Sequence, residues 1–274
     1  MGLLAGNGSI TGGSVSLNGQ EITESAFPDH KAYEAAMDQI RGNQMAMIFQ
    51  DPIASLNPRM TVQEIIAEGL KIRGVKDPEE LHRQVVAMLE HVGLQAEHAS
   101  RYPHEFSGGQ RQRIGIARSL VVKPSVIIAD EPVSALDVSI QSQIINLLQD
   151  LKEQQHLTYL FITHDLSVVK YISDRIGVMY LGNLVELADS QEIFDHPMHP
   201  YTEALLESIP TTEEKRDLAV LEGDIPSPVN PPKGCKFHTR CKYCTEICTH
   251  VVPDWEEVTP NHFVACHHKL HTNE

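Results

Sequence analysis

Two stretches of the sequence decide the fold: Phe-Ser-Gly-Gly-Gln-Arg-Gln-Arg at residues 106–113 and Val-Ile-Ile-Ala-Asp-Glu-Pro at residues 126–132. The first predicts a loop running into a helix, because apolar residues recur at helical spacing behind its glycines. The second has four apolar residues before two carboxylates, which is typical of a strand buried in a parallel sheet. Ligands of open α/β sheets bind at the carboxyl ends of such strands. One carboxylate there can hold Mg²⁺, and the next can activate a water molecule.

The loop before the predicted helix has the features of a phosphate-binding segment. Gly108 and Gly109 allow the backbone to come close to a ligand. The start of a helix offers unpaired N–H groups and the positive end of the helix dipole, both of which favour phosphate. The two stretches together therefore indicate an α/β protein that binds a phosphorylated ligand.

Composition limits the class of protein. The 274 residues allow one large domain or one and a half, and 41% hydrophobic residues suffice for a globular core. A net charge of −15 argues against a general nucleic-acid binder. No apolar run approaches the length of a membrane span, and the first residues lack the basic region and apolar core of a secretory signal. We therefore expect a cytosolic chain.

Three further polar residues follow predicted elements. Gln50 comes after an apolar strand at residues 45–49, and His164 comes after a strand predicted to be buried at residues 158–163. Asp137 stands where it can cap the next helix. Each residue also has a purely structural interpretation: a polar loop residue, a surface or capping histidine, and a helix cap.

The local pattern also gives expectations that do not concern a site. Pro52 and Pro58 are expected to exclude regular structure nearby. His98 lies in a helical segment without a ligand-like grouping and is expected to be solvated, as are His82 and His91. A hairpin is predicted around Asn18 and Gly19, because Asn-Gly between short strands is a strong turn signal.

These motifs carry a resemblance to a known family. Ser-Gly-Gly-Gln at residues 107–110, followed closely by a strand ending in Asp-Glu-Pro, resembles the ATP-binding subunits of ABC transporters. Ile-Phe-Gln-Asp-Pro at 48–52 with Ser-Leu-Asn-Pro at 55–58 resembles the peptide and nickel importer branch. The cysteine-containing tail resembles the C-terminal extension of oligopeptide and dipeptide importer ATPases.

The resemblance implies a fold and a division of the chain. The fold is the α/β nucleotide-binding domain of ABC-type P-loop NTPases, truncated at its N-terminus, with a helical subdomain and a Cys-rich extension. Residues 1–51 would be the remnant of the N-terminal lobe with the Q-loop, and 52–118 the helical subdomain with the signature. Residues 119–188 would be the core with Walker B, D-loop and switch histidine, and 189–274 the extension.

The resemblance also implies roles for individual residues. Glu131 would be the general base, Asp130 the Mg²⁺ partner, and Gln50 and His164 would position water and the γ-phosphate, with Gln50 also reaching the metal. The ATP-contacting residues would be Ser107, Gly108, Gly109, Gln110, Asp130 and Asp137.

All five cysteines fall within residues 235–266. In a reducing compartment such a cluster suggests a metal before a disulfide. The family's cysteine positions correspond to Cys235, Cys241, Cys248 and Cys266, and Cys244 is additional. The resemblance implies a [4Fe–4S] cluster, with Zn²⁺ as the alternative and reduced, packed thiols as the non-metal explanation.

The sequence departs from the family in one respect. No Gly-x-x-x-x-Gly-Lys-Ser/Thr phosphate loop occurs in it. We expect that the start codon is assigned too late or that the product is truncated, and in either case that this chain alone neither binds ATP tightly nor hydrolyses it.

Three functions follow. The first is an ATP-hydrolysing subunit of a di- or oligopeptide importer. It would work at the cytoplasmic face of the membrane with a second ATP-binding subunit, two permease subunits and a peptide-binding protein. The second is a non-hydrolysing subunit that lends its signature loop to a full-length paralogue. The third is a soluble ABC ATPase without a transport role.

Overall fold

The structure is a computed structural model that describes residues 1–3, 8–209 and 223–271. The chain forms two compact units, Met1–His164 and Asp165–Glu274. The four-part division expected from the motifs remains a prediction.

The first unit combines a short hairpin, three parallel strands and the helices around them. Its elements in chain order are β1 (Ser16–Leu17), β2 (Gln20–Glu21), α1 (His30–Asn43), β3 (Met45–Ile48), α2 (Pro52–Ser55), α3 (Val62–Ile72), α4 (Pro78–His91), α5 (Gly108–Leu120), β4 (Val126–Asp130), α6 (Val138–Gln155) and β5 (Thr158–Ile162). β1 and β2 form the hairpin predicted around Asn18 and Gly19.

The parallel sheet of this unit has the strand order β3-β4-β5. Ile48 pairs with Ala129, and Ala129 pairs with Phe161, so the three strands end at the same edge. Their apolar runs provide the β-propensity, and Ile48, Ile127 and Ala129 are fully buried. The predicted parallel strands are therefore confirmed.

One expectation for this sheet is wrong. β5 was expected to be buried, but Leu160 and Ile162 are 57% and 46% exposed. Side chains alternate along a strand, and β5 lies at the edge of the sheet as the structure describes it. One of its faces is therefore largely open to solvent.

Helix α5 lies in the core of the first unit. Ile114, Ile116, Ala117 and Leu120 are completely buried, so the helix is apolar well beyond a single stripe. Its first turn is closed by a reciprocal capping box between Ser107 and Gln110.

Two local expectations in the first unit are also wrong. Pro52 does not exclude regular structure but begins α2, because a proline costs nothing at the first helical position. His98 is not solvated but buried, and its Nδ1 accepts a hydrogen bond from the Gln95 N–H at 3.1 Å. Its ring packs edge-on against Phe106, with centroids 5.2 Å apart.

The second unit is built on a four-stranded antiparallel sheet. Its elements are α7 (Leu166–Ile172), β6 (Arg175–Tyr180), β7 (Asn183–Asp189), α8 (Ser190–Asp195), α9 (Pro200–Glu207), α10 (Glu246–His250), β8 (Glu256–Thr259) and β9 (His262–Val264). The strand order is β6-β7-β9-β8, with every pair antiparallel. β6 and β7 form a hairpin around Gly182. Among the described residues, no helix is long and apolar enough to cross a membrane.

Candidate functional site

The carboxyl edge of the parallel sheet brings together the three predicted catalytic side chains. Gln50 lies two residues after β3, Glu131 directly after β4, and His164 two residues after β5. The Gln50 Nε2 donates a hydrogen bond to the Glu131 Oε2 at 2.7 Å. The His164 Nδ1 lies 3.2 Å from the Glu131 Oε1. Gln50 and His164, which lie 81 and 33 positions from Glu131 in the sequence, thus meet at one carboxylate.

The hydrogen bonds fix the chemistry of His164. An ionised carboxylate only accepts hydrogen bonds, so the Nδ1 of His164 carries the proton in this contact. The Nε2 of this ring, whose side chain is 73% exposed, is then available to a ligand. A neutral ring would accept a hydrogen bond there, and an imidazolium would donate one.

The backbone at Glu131 is unusual. Its φ is +42°, and its N–H donates to the Ile162 carbonyl at 2.9 Å. Non-glycine residues rarely adopt this left-handed region, and such residues occur often at functional sites. The buried Pro132 follows directly.

The predicted Mg²⁺ ligands lie at the same edge. Asp130 is the last residue of β4, and Gln50 follows β3. Among the described residues, no group of three or more His, Cys, Asp or Glu side chains could hold a metal ion by itself. Mg²⁺ usually takes one or two protein oxygens and completes its shell with phosphate oxygens and water. A hard carboxylate and an amide oxygen fit such a partial set.

The signature residues form the start of α5. The Ser107 Oγ accepts from the Gln110 N–H at 3.4 Å, and the Gln110 Oε1 accepts from the Ser107 N–H at 3.0 Å. A Cβ at Gly109 would lie 2.5 Å from the Ile140 Cγ2, so only glycine allows this approach to α6. Ser107 is exposed.

Asp137 is the N-cap of α6 in the structure. Its Oδ1 accepts from the Ile140 N–H at 3.0 Å and from the Ser139 Oγ at 2.9 Å. These hydrogen bonds, first that from Ile140, lower the pKa of the Asp137 carboxyl. The structure therefore shows Asp137 as the cap of α6, and its contact with ATP remains a prediction.

The cysteines lie in the second unit and pack with apolar residues. Cys235 and Cys241 contact the cluster that contains Phe237, whereas Cys266 belongs to a cluster with Met198 and Val264. Burial raises the pKa of Cys241 to about 11 and that of Cys266 to about 12, which favours the protonated thiol. No metal-holding group occurs among the described residues. The charges of Cys235, Cys241 and Cys248 also raise the pKa of Cys266, so these thiols lie within electrostatic range of Cys266. The predicted iron–sulfur or zinc site and the alternative of packed, reduced thiols both remain predictions.

The segment around Cys235 has a strict backbone requirement. Gly234 has a φ of +62°, and a Cβ there would lie 2.4 Å from the Cys248 carbonyl oxygen. The Cys235 N–H donates to that same carbonyl at 2.9 Å. Only glycine at position 234 therefore allows this segment to pack so closely against α10.

The sequence analysis missed a buried ionic pair in the second unit. Glu186 is fully buried and accepts hydrogen bonds from the N–H groups of Met198 (2.6 Å) and His199 (3.1 Å). The His262 Nε2 lies 2.7 Å from the Glu186 Oε1. A carboxylate inside the apolar strand β7 was the available signal. Its partner could not be inferred, because 76 positions separate the two residues.

Two family models match this chain in separate segments. The family model "ABC transporter" matches residues 1–134, and the model "Oligopeptide/dipeptide transporter, C-terminal region" matches residues 185–248. The chain is 53% identical over 261 residues to the oligopeptide transport ATP-binding protein AppF of Bacillus subtilis, covering 94% of this chain and 77% of that protein. It is 53% identical over 225 residues to the oligopeptide transport ATP-binding protein OppF of Haemophilus influenzae, covering 80% and 68%.

Solved structures show the same fold. The ATP-binding cassette MJ0796, in a dimeric post-hydrolysis state bound to ADP and Pi, matches with a TM-score of 0.56 and 28% identity. The match covers 66% of this chain and 74% of that one. The fold matches that of a solved ATP-binding cassette, and the sequence similarity extends along 94% of the chain. The chain therefore belongs to the ATP-binding subunits of ABC transporters, in the branch of the oligopeptide and dipeptide transporters.

Proposed function

We propose that this chain is the ATP-binding and ATP-hydrolysing subunit that powers the import of di- or oligopeptides through an ABC transporter. The observation that carries the proposal is the Glu131 carboxylate at the sheet edge, hydrogen-bonded by Gln50 and lying within reach of His164. The similarity to peptide-import ATP-binding proteins along 94% of the chain supports the substrate class.

Glu131 is suited to the role of general base. An ionised carboxylate offers about four acceptor positions, and Gln50 and His164 occupy one on each oxygen. A water molecule can therefore still donate to Glu131, and the neighbouring polar groups can orient it. Asp130 and Gln50 would hold Mg²⁺, which supplies charge stabilisation to the phosphate oxygens.

The loop formed by residues 107–110 would contact ATP held by a second ATP-binding subunit. The N–H groups of Gly108 and Gly109, which are not part of the Ser107–Gln110 capping box, and the positive end of the α5 dipole are suited to the γ-phosphate. Asp137, at the start of α6, would belong to the same contact region. The transporter would also contain two permease subunits, with a peptide-binding protein delivering the substrate. The chain would lie peripherally at the cytoplasmic face of the membrane.

The test is Glu131→Gln in a full-length version of this chain that includes a phosphate loop, assembled in liposomes with its permease subunits and second ATP-binding subunit. Loss of a general base typically lowers turnover by about 10² to 10⁴-fold. We expect a decrease of this size in ATP hydrolysis and in peptide uptake, with ATP binding retained. Glu153→Gln is the matched control, because Glu153 is an exposed residue of α6 in the same unit that pairs only locally with Gln149. Turnover within a few-fold of wild type for Glu131→Gln would contradict the assignment.

A further inference from the structure

The segment that carries Gln50, residues 47–55, is fastened to helix α5 at both ends. At its start, the Ser119 Oγ donates to the Met47 carbonyl at 2.8 Å. At its end, the Arg118 Nη1 donates to the Ser55 carbonyl at 2.5 Å. Two consecutive residues of one helix therefore bracket the loop from which Gln50 reaches Glu131.

Arg118 also contacts the residue directly before Gln50. Its Cζ lies over the Phe49 ring, 5.7 Å from the centroid, within the range of a cation–π interaction. Phe49 is 43% exposed, so core packing alone does not fix its position. The guanidinium thus holds the chain on both sides of Gln50.

The guanidinium is suited to two simultaneous contacts. It is planar, so its edge can donate to a carbonyl while its face lies on a ring, which a lysine ammonium cannot reproduce. Burial lowers the pKa of Arg118, and the nearby Glu68 charge opposes that shift. Arginine remains protonated in proteins, so both contacts persist across the physiological pH range.

We propose that Arg118 is a positioning residue for ATP turnover, holding Phe49 and Ser55 so that the Gln50 amide stays on the Glu131 carboxylate. The inference rests on the proposed function, because it concerns the same reaction. Arg118 acts through Gln50 and touches no reacting atom. A displacement of about 1 Å at a reacting group can cost as much as 10²-fold in rate, so loosening this loop is enough to matter.

The chain provides a matched control on the same helix. The Arg113 Nη1 donates to the Val92 carbonyl at 2.6 Å, and Arg113 is half-buried like Arg118. Arg113 anchors the end of α4, however, and not the Gln50 loop. Arg113→Met and Arg118→Met therefore each remove one arginine–carbonyl contact from α5, but only the second affects residues 47–55.

The first measurement is ATP turnover of the assembled transporter. We expect Arg118→Met to lower kcat by about 10-fold with KM for ATP within about two-fold, and Arg113→Met to leave both within about two-fold. In a Gln50→Ala background, Arg118→Met should change kcat by less than about two-fold, because its effect passes through Gln50. Equal losses from both arginine variants would overturn the inference, as would multiplication of the Arg118 and Gln50 effects.

The second measurement does not depend on activity. Amide hydrogen exchange should become faster over residues 49–55 in Arg118→Met and remain unchanged there in Arg113→Met. Unchanged exchange over residues 49–55 in Arg118→Met would overturn the inference. An assembled wild-type transporter that does not hydrolyse ATP would overturn the proposed function, whatever the exchange data show. The two failures are therefore distinguishable.

Discussion

Replacing Glu186 with glutamine should destabilise the second unit by about 3–5 kcal/mol below pH 6. The Glu186 Oε1 accepts from the Met198 N–H and the His262 Nε2, and the Oε2 accepts from the His199 N–H. A glutamine amide has one acceptor oxygen, so at least one buried donor loses its partner, at a cost of about 1–3 kcal/mol. The His262 charge also loses its partner, and breaking a buried ion pair costs about 3–5 kcal/mol. Such a loss is large, because domains are stable by only about 5–15 kcal/mol.

The assay is urea unfolding followed by tryptophan fluorescence. The only tryptophan of the chain, Trp255, stacks on Phe263 of β9 with centroids 6.0 Å apart, next to His262. Glu192→Gln is the control, because the Glu192 Oε1 lies 3.6 Å from the His262 Nδ1 and its side chain is 40% exposed. Solvent screens the Glu192 carboxylate at this exposure, so its contribution is about 1 kcal/mol or less. Equal losses from Glu186→Gln and Glu192→Gln would refute the reasoning.

The same pair predicts the pH dependence of stability. Burial lowers the pKa of His262, but the hydrogen bond and charge of Glu186, with the charge of Glu192, raise it above its ordinary value. The folded state therefore binds this proton more tightly than the unfolded state does. The stabilisation is complete below the unfolded-state pKa of about 6.5 and is lost as the pH rises through the higher folded-state pKa. The stability difference between wild type and Glu186→Gln should shrink on the alkaline side, and a difference that grows with pH would contradict this account.

Two further predictions concern glycines and can be checked by thermal unfolding. Gly109→Ala should cost about 1–3 kcal/mol, because the new Cβ would lie 2.5 Å from the stiff, branched side chain of Ile140. Gly115→Ala lies on the same helix, and apart from the adjoining residues and the helix's own backbone nothing lies within 4 Å of the new Cβ, so it should instead stabilise by up to about 1 kcal/mol. A loss at Gly115 as large as that at Gly109 would argue against the steric explanation. Gly234→Ala should cost at least about 2 kcal/mol, because it combines a left-handed φ with a contact to the Cys248 carbonyl, and an unchanged Tm would show that this segment can move.

The sequence predicts the sheet and its functional edge well, because both depend on local patterns. The apolar runs that became β3, β4 and β5 identify parallel strands, and parallel strands must end at one edge. Gln50, Glu131 and His164 each follow one of these strands, so the shared edge brings them together, whereas their joint role was implied only by the family resemblance. The catalytic roles of these three residues remain a prediction that the Glu131→Gln experiment tests.

The sequence does not predict features that depend on long-range packing. His98 is polar and lies in a helical segment, and only the tertiary contact with Phe106 makes its burial favourable. In the sequence, Arg118 resembles any helix-surface arginine, because the residue that it binds, Ser55, lies 63 positions away. The cysteine ligand set remains a prediction: Cys235 and Cys266 pack in different apolar clusters, but the charge of Cys235 also contributes to the raised pKa of Cys266.

The left-handed backbone at Glu131 limits which residues can replace the proposed base. Glutamine lacks a branched Cβ and can keep the φ of +42°, so Glu131→Gln changes the acidity of the side chain without changing the path of the chain. Valine, isoleucine or threonine would meet a steric penalty there, and glycine would relieve one. Variants at this position therefore mix two effects, loss of a carboxylate and release or increase of backbone strain. Aspartate, which tolerates this backbone region and keeps the charge, isolates the remaining variable: how far the carboxylate reaches from the sheet edge.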